Sequence, residues 1–335
     1  VSGDVYNIWT WGAPTATFTD CTFNCDGKAM LLYGTANTKL TMNNCVFNDN
    51  GSISGKAAIE TGNDYNKSYE LTVNKATVNG FDINPNGFVT GTTLWANKNS
   101  MPAERLIVTV DGYTWVADGL SQKDGEYYVS NANGLNYFSN VTAANGTVIK
   151  LAADINMEGA EFKAIAAGYD KSLTFDGQNH TIKNVKIATC SHNSVGAAGL
   201  FFCYTGGTLN VSNLVVEKAT SAGATYAGVI TGYTQGNATL TNITVKECNI
   251  SGVKKIGGIV GFVEASTTNF VAENCKVIDT TVAATEKQAG TIIGYNAKPA
   301  TLKNCTVENS TATAPQYCDG GVRCTDPAQA ELTIE

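Results

Sequence analysis

Asn242-Ile-Thr-Val245, followed by Gly258-Ile-Val-Gly261-Phe262, is the stretch that decides the fold, because both signals return along the chain at a nearly constant interval. The first signal is an asparagine three residues before a β-branched aliphatic residue. It occurs as Asn184-Val-Lys-Ile187, Asn213-Leu-Val-Val216, Asn242-Ile-Thr-Val245, Asn274-Cys-Lys-Val277 and Asn304-Cys-Thr-Val307, spaced by 29, 29, 32 and 30 residues. The second is a glycine, an apolar run, then Gly or Cys with an aromatic. It occurs as Gly199-Leu-Phe-Phe-Cys203-Tyr204, Gly228-Val-Ile-Thr-Gly232-Tyr233, Gly258-Ile-Val-Gly261-Phe262 and Gly290-Thr-Ile-Ile-Gly294-Tyr295, with aromatics 29, 29 and 33 apart.

A fixed period in this range means a stacked array whose units bury their apolar faces against their neighbours. Helical units would place apolar residues at i, i+3, i+4 and i+7, whereas Leu240-Thr-Asn-Ile243-Thr-Val245 alternates with polar residues, which means strands. Val, Ile and Thr fill these runs and Gly and Asn punctuate them. Short strands repeated about every 30 residues and stacked at about 4.8 Å make a right-handed parallel β-helix, an all-β fold. Each residue then sits above its equivalent in the preceding coil. Asn184, Asn213, Asn242, Asn274 and Asn304 are expected to form one ladder at a turn, satisfying backbone groups there, and Tyr204, Tyr233, Phe262 and Tyr295 a second. Cys275 over Cys305 makes a third.

The first 80 residues carry a looser version, in Ala16-Thr-Phe18-Thr-Asp20-Cys21, Leu40-Thr-Met42-Asn-Asn44-Cys45 and Leu71-Thr-Val73-Asn74-Lys75-Ala76. Two β-helical modules are therefore expected, 1–120 with a loop-rich end and 121–335 with the regular repeats. Between them Ser130 reads as the N-cap of a short helix whose Leu135, Phe138 and Val141 share a face, covering the open end of the second module.

The Gly-Ile-Val-Gly-Phe repeat at 258–262, with its variants at 228–233 and 290–295, resembles the GLUG motif of bacterial surface and adhesin-like proteins. Leu173-Thr-Phe-Asp-Gly-Gln-Asn-His180-Thr-Ile182 is similar to the opening coil of pectin-lyase-like β-helices. The resemblance covers about residues 129–312. It implies a β-helix displayed outside the cell or on a bacterial surface, and its motifs specify the fold far better than any chemistry.

The composition agrees with many tight turns, with 34 glycines and 6 prolines in 335 residues. A net charge of −7 with only 15% charged residues, and no basic run, argues against nucleic acid or an anionic membrane as partner. No apolar stretch approaches the ~18 residues that a membrane helix needs, so no membrane insertion is expected. The chain opens at Val1 in mid-pattern, which fits a mature or trimmed chain. Of the ten cysteines, Cys21, Cys45, Cys275 and Cys305 each follow an Asp or Asn at the same coil position, as buried free thiols would. Cys318 and Cys324 are close enough in sequence to pair, and Cys21 with Cys25 is a weaker pairing. Two histidines and no Cys-x-x-Cys leave no metal site and no cofactor to expect.

β-Helices include polysaccharide lyases and hydrolases, so the fold raises an enzyme reading. Such lyases use clustered acids with an Arg or Lys base, but Arg105 and Arg323, the only arginines, lie outside the repeated coils. A hydrolase needs paired carboxylates. Asp176 reads as a turn residue in Asp-Gly, so no catalytic residue is assigned. The segments Glu60-Thr-Gly-Asn-Asp64-Tyr65-Asn66 and Thr93-Leu-Trp95-Ala-Asn97-Lys98-Asn99 combine aromatic faces with amides and carboxylates, the kit that holds sugars. Asp64, Tyr65, Trp95 and Asn97 are the candidate ligand-binding residues. The expectation is a non-catalytic, secreted or surface-displayed adhesin-like or glycan-binding module, with a polysaccharide or a host surface protein as partner. The alternatives are a polysaccharide lyase or glycosidase working in a groove, and a structural spacer with no exposed aromatic cluster.

Overall fold

The structure, a computed structural model, describes all residues except 1–5, 13–14, 27–28, 50–56, 63–64, 82–93, 98–99, 166–169, 193–194 and 201, and the backbone alone of 192, 195 and 202–205. The chain is nearly all β, with 56% strand against 4% helix, and forms a parallel β-solenoid of about 9 turns. It divides into two compact units, Val1–Gly134 and Leu135–Glu335.

In the first unit each coil contributes a short strand and a longer bent one. The short strands Ile8–Trp9, Met30–Leu32, Ile59–Thr61 and Trp95–Asn97 stack in parallel. So do Thr15–Thr19 with Thr22–Cys25, then Thr38–Asp49, Tyr69–Asn79 and Leu106–Val110. Alternation puts Leu40, Leu71 and Val108 in one inward row and Met42, Val73 and Val110 in the next, all buried. Each such side chain contributes about 1.5–3 kcal/mol when taken out of water. At the bend the register partners Asp20, Asn44 and Lys75 hold φ of 54°, 51° and 56°, the left-handed region that short polar side chains tolerate best and that Lys75 adopts here as well. The last strand runs on into an antiparallel meander, Tyr113–Ala117, Leu120–Lys123 and Glu126–Val129. Asp111-Gly112 and Asp124-Gly125, with positive φ at both residues, make two of its hairpin turns, and Asp118-Gly119, with positive φ at the glycine alone, makes the third.

The helix spans Ala132–Asn140. Its cap is Asn131 rather than Ser130. Asp118 accepts the Asn131 amide at 3.0 Å and leaves the Asn131 Oδ1 to take the Gly134 N–H at 3.0 Å, while the Ser130 N–H is drawn to the Gly119 carbonyl. Leu135 and Phe138 are buried, but Val141 lies past the helix end and is exposed.

In the second unit three parallel sheets wrap one core. One holds Leu173–Asp176, Thr208–Glu217, Asn237–Lys246, Asn269–Glu273 and Ala300–Lys303. A second holds Lys186–Ile187, Thr220–Ala227, Asn249–Gly257, Thr281–Ala284 and Thr311–Thr313. The third holds Phe202–Thr205, Thr231–Thr234, Val260–Val263 and Ile293–Asn296. The recurrent glycines belong to the tight passage between the second and third sheets. A Cβ on Gly261 would stand 2.5 Å from the Gly232 carbonyl oxygen and 2.8 Å from backbone atoms of Ala227, so only glycine fits there.

Asn213, Asn242, Asn274 and Asn304 all adopt left-handed φ, and Asn274 donates to Asn242 and Asn242 to Asn213, at 3.2 and 2.9 Å. Side-chain amides thus bond to one another along the column. Asn184 stands outside it. Lys183 pairs with Glu217, which puts Asn184 over Lys218 at the next corner, also left-handed, and the register partner of Asn213 is Gly177 after the pairing of Asp176 with Ser212. Equal spacing in sequence concealed the difference because each coil has two such corners. In the third sheet Tyr204, Tyr233, Phe262 and Tyr295 share a register row. The Tyr233–Phe262 and Phe262–Tyr295 ring centres lie 5.2 and 5.6 Å apart, whereas the Tyr204 side chain falls outside the described residues.

The pairing of Cys318 with Cys324 does not occur, and Cys21 and Cys25 are not disulfide-bonded to each other either. Cys324 turns into a buried cluster with Phe262 and Tyr295, and the Cys318 thiol donates to the Ala312 carbonyl at 3.1 Å. Cys190 is disulfide-bonded, a bond that the coil pattern did not indicate.

Candidate functional site

Where the short strands of the first unit end, four aromatic side chains from successive coils meet outside the core. Trp9 closes Ile8–Trp9, Trp11 follows the buried Thr10, Tyr33 follows Met30–Leu32, and Tyr65 lies in the loop after Ile59–Thr61. The ring centres of Trp9 and Trp11 are 5.3 Å apart at 84°, and Trp9 lies on Tyr33 at 5.9 Å and 29°. Tyr65 meets Trp11 edge-on at 5.1 Å and Tyr33 at 5.2 Å. Such contacts are worth about 0.5–1.5 kcal/mol each beyond area burial, enough to hold the rings without sinking them into a core. Trp9, Trp11 and Tyr65 remain 53%, 44% and 40% exposed.

Backbone chemistry fixes this platform. The Trp9 indole donates to the Tyr33 carbonyl at 2.9 Å and Thr35 N–H to the Trp11 carbonyl at 2.9 Å. A Cβ on Gly62 would come within 2.5 Å of the Tyr33 ring, so glycine there lets the ring lie across the turn. Clustered exposed aromatic area is uncommon on a soluble surface and marks binding sites.

Of the residues expected to bind ligand, the three described ones, Tyr65, Trp95 and Asn97, are not brought together. Tyr65 is on the platform. Trp95 is only 2% exposed and packs edge-on against Trp115 at 5.4 Å, so it presents no face to solvent. The Asn97 side chain closes its own turn, donating to the Met101 carbonyl at 2.9 Å and accepting the Met101 N–H at 2.8 Å. Asp64 lies outside the described residues. Trp9, Trp11 and Tyr33 were not among the expected residues, although two tryptophans flanking one threonine in Trp9-Thr-Trp11 was a signal open to reading.

Asn37 and Ser68, a few residues beyond Tyr33 and Tyr65, line a cleft of about 370 Å³ together with Lys39, Glu70, Glu104 and Arg105. Lys39 Nζ is 2.7 Å from Glu70 Oε1. In the second unit His180 Nδ1 lies 3.1 Å from Asp154 Oδ1. The Thr181 N–H, and then His180, hold the Asp154 carboxyl below its ordinary value. The dyad is on the surface, and no described hydroxyl or thiol is bonded to the other imidazole nitrogen. Among the described residues no group of three or more His, Cys, Asp or Glu is placed to hold a metal ion, and no helix is long and apolar enough to cross a membrane.

The fold defines the class, a parallel β-solenoid protein. No protein-family model matches the chain, and no curated protein matches it. A crystal structure described as that of "a putative immunoglobulin A1 protease from Bacteroides ovatus" is similar over 62% of this chain and 82% of its own, at 19% identity and a TM-score of 0.38, a likeness too low to carry an argument.

Proposed function

We propose that the protein is a non-catalytic, adhesin-like glycan-binding β-solenoid that works outside the cell or on a bacterial surface, with a polysaccharide or a glycosylated host surface protein as partner. The observation that carries this reading is the Trp9–Trp11–Tyr33–Tyr65 platform. Rings of this kind stack on the C–H faces of sugars, and a rigid scaffold that presents them in advance lowers the entropy lost on binding. The Cys190 disulfide favours an oxidising compartment. The other cysteines described, none of them disulfide-bonded, are buried or half-buried, which shields them there. A glycan array read with the full chain and with Trp11→Ala tests the reading. Binding to a restricted set of glycans, lost in the variant, supports it, and an array empty for the full chain rejects it.

The cleft holding Glu70, Glu104 and Arg105 favours one second reading, a polysaccharide lyase or glycosidase working in that groove. Release of reducing ends or unsaturated products from acidic polysaccharides, abolished by Glu104→Gln, decides for it.

A further inference from the structure

The second unit carries another aromatic cluster, half-buried at Tyr226 and Tyr233 and buried at Phe262 and Tyr295, that the platform does not explain. Tyr226, Lys255 and Gln288 form one register row of the second sheet, beside the row of Tyr233, Phe262 and Tyr295 in the third. The Tyr226 and Tyr233 rings lie nearly parallel, 5.6 Å apart at 13°. Lys255 Nζ stands 3.2 Å from the ring centre of Phe262, 4.6 Å from that of Tyr295 and 5.1 Å from that of Tyr226.

Two polar groups in this furrow, the Lys255 ammonium and the Gln288 carbonyl oxygen, have no hydrogen-bond or ion-pair partner among the described residues. Lys255 forms no ion pair among the described residues, although Lys254 beside it reaches Glu286 at 3.9 Å. The nearby acids bond elsewhere, Glu264 through its Oε2 alone. Glu264 accepts from Ser266 N–H and Oγ at 2.9 and 2.6 Å, and Asp326 accepts Gln288 Nε2 at 2.7 Å and Ala328 N–H at 2.9 Å. Gln288 is 5% exposed, and its Oε1 is buried without any hydrogen bond. An orphaned buried acceptor is costly to leave unpaired, so a group that satisfies it is favoured.

The missing group must accept from an ammonium and donate to a carbonyl, which a hydroxyl does with one atom. A carboxylate answers Lys255 but faces the lone pairs of Gln288 and the charges of Glu264 and Asp326, and a cation is repelled by Lys255. We propose that the furrow is a saccharide subsite for a neutral pyranose. One sugar hydroxyl sits between Lys255 Nζ and Gln288 Oε1, and the C–H face of the ring lies on the Tyr226–Tyr233 pair. The proposal shares only its ligand class with the reading above and does not use the Trp9 platform.

The test uses the full chain with chitohexaose, cellohexaose and xylohexaose as probes and two readouts. Reductive methylation of Lys255, followed by peptide mass spectrometry, reports the furrow, and tryptophan fluorescence reports the platform. A saturating probe should slow methylation of Lys255 about tenfold relative to Lys254, and Tyr233→Ala and Gln288→Leu should each remove the protection in a chain that still melts cooperatively. Equal methylation of Lys255 with and without every probe overturns the proposal and leaves water as the occupant. Protection of Lys255 without a fluorescence change upholds the furrow and rejects the platform. A fluorescence change without protection does the reverse, and neither response rejects both.

Discussion

Asn242 Nδ2 donates to Asn213 Oδ1 across 2.9 Å while the two residues hold φ of 55° and 52°. One side chain therefore does two things at this corner. It tolerates a backbone conformation that β-carbon crowding makes costly, and it ties its coil to the one below. Asn242→Ala should lose about 2–4 kcal/mol, from left-handed strain and two amide bonds, and Asn242→Gly distinctly less, because glycine keeps the φ and forfeits only the bonds. Urea unfolding of both variants checks this. Equal losses would mean that the ladder alone sets the cost.

Gly261 lies at the tight passage between the second and third sheets of its unit, with the Gly232 carbonyl on one side and Ala227 backbone on another. Backbone cannot yield as a flexible side chain can. Gly261→Ala should destabilise by at least about 2 kcal/mol by forcing coils apart. Thermal unfolding within a few degrees of the parent protein would contradict the packing described.

Trp11 and Trp95 are both tryptophans of the first unit, yet they should respond oppositely. Trp95→Ala empties a buried site and should cost about 3–5 kcal/mol, with any loss of glycan binding following from unfolding. Trp11→Ala removes a half-exposed ring and should leave the melting temperature close to that of the parent. It should lower affinity for an array-positive glycan about tenfold or more, as measured by isothermal titration. Unchanged affinity would remove Trp11 from the site.

Burial pushes the Lys255 ammonium down to about 8 from 10.5, against the opposing charges of Glu264 and Asp326. Ring contacts favour the ammonium by about 0.5–2 kcal/mol and temper this shift. The unfolded chain keeps the proton up to its ordinary value, so between about 8 and 10.5 it binds more protons than the folded chain, and stability rises with pH. Cys248 and Cys324 are raised by burial to about 11, so their contribution falls as pH climbs past the ordinary thiol value of 9.0. The comparison that isolates Lys255 is the parent against Lys255→Met. The parent should gain stability relative to the variant as pH rises through that window, read from urea midpoints. Parallel curves would place Lys255 at its ordinary value.

Several features were legible because a solenoid repeats the same physical environment at each coil. Val216, Val245 and Val277 are register partners on one inward row, and the recurrence of that residue type at a near-constant interval is the direct trace of stacking. Alternation of apolar and polar residues distinguished strands from helices, and the glycine-aromatic motif marked the passage that admits only glycine. Less was legible where the interval alone was used. Asn184 and Asn213 are as far apart as Asn213 and Asn242, but each coil has two left-handed corners, and only strand pairing tells which corner a residue occupies.

The chain by itself thus determined the parallel β-solenoid, since period and alternation are local properties that every coil restates. The tertiary structure decided where a site can be. Trp9, Trp11, Tyr33 and Tyr65 come from coils of unequal length and follow no period, and Trp95, chemically as good a candidate, is turned inward by its strand. Lys255 and Gln288 lie 33 residues apart and become neighbours only through the register of two strands. Exposure and juxtaposition are properties of the packed array, because stacking sets which side of each strand faces water.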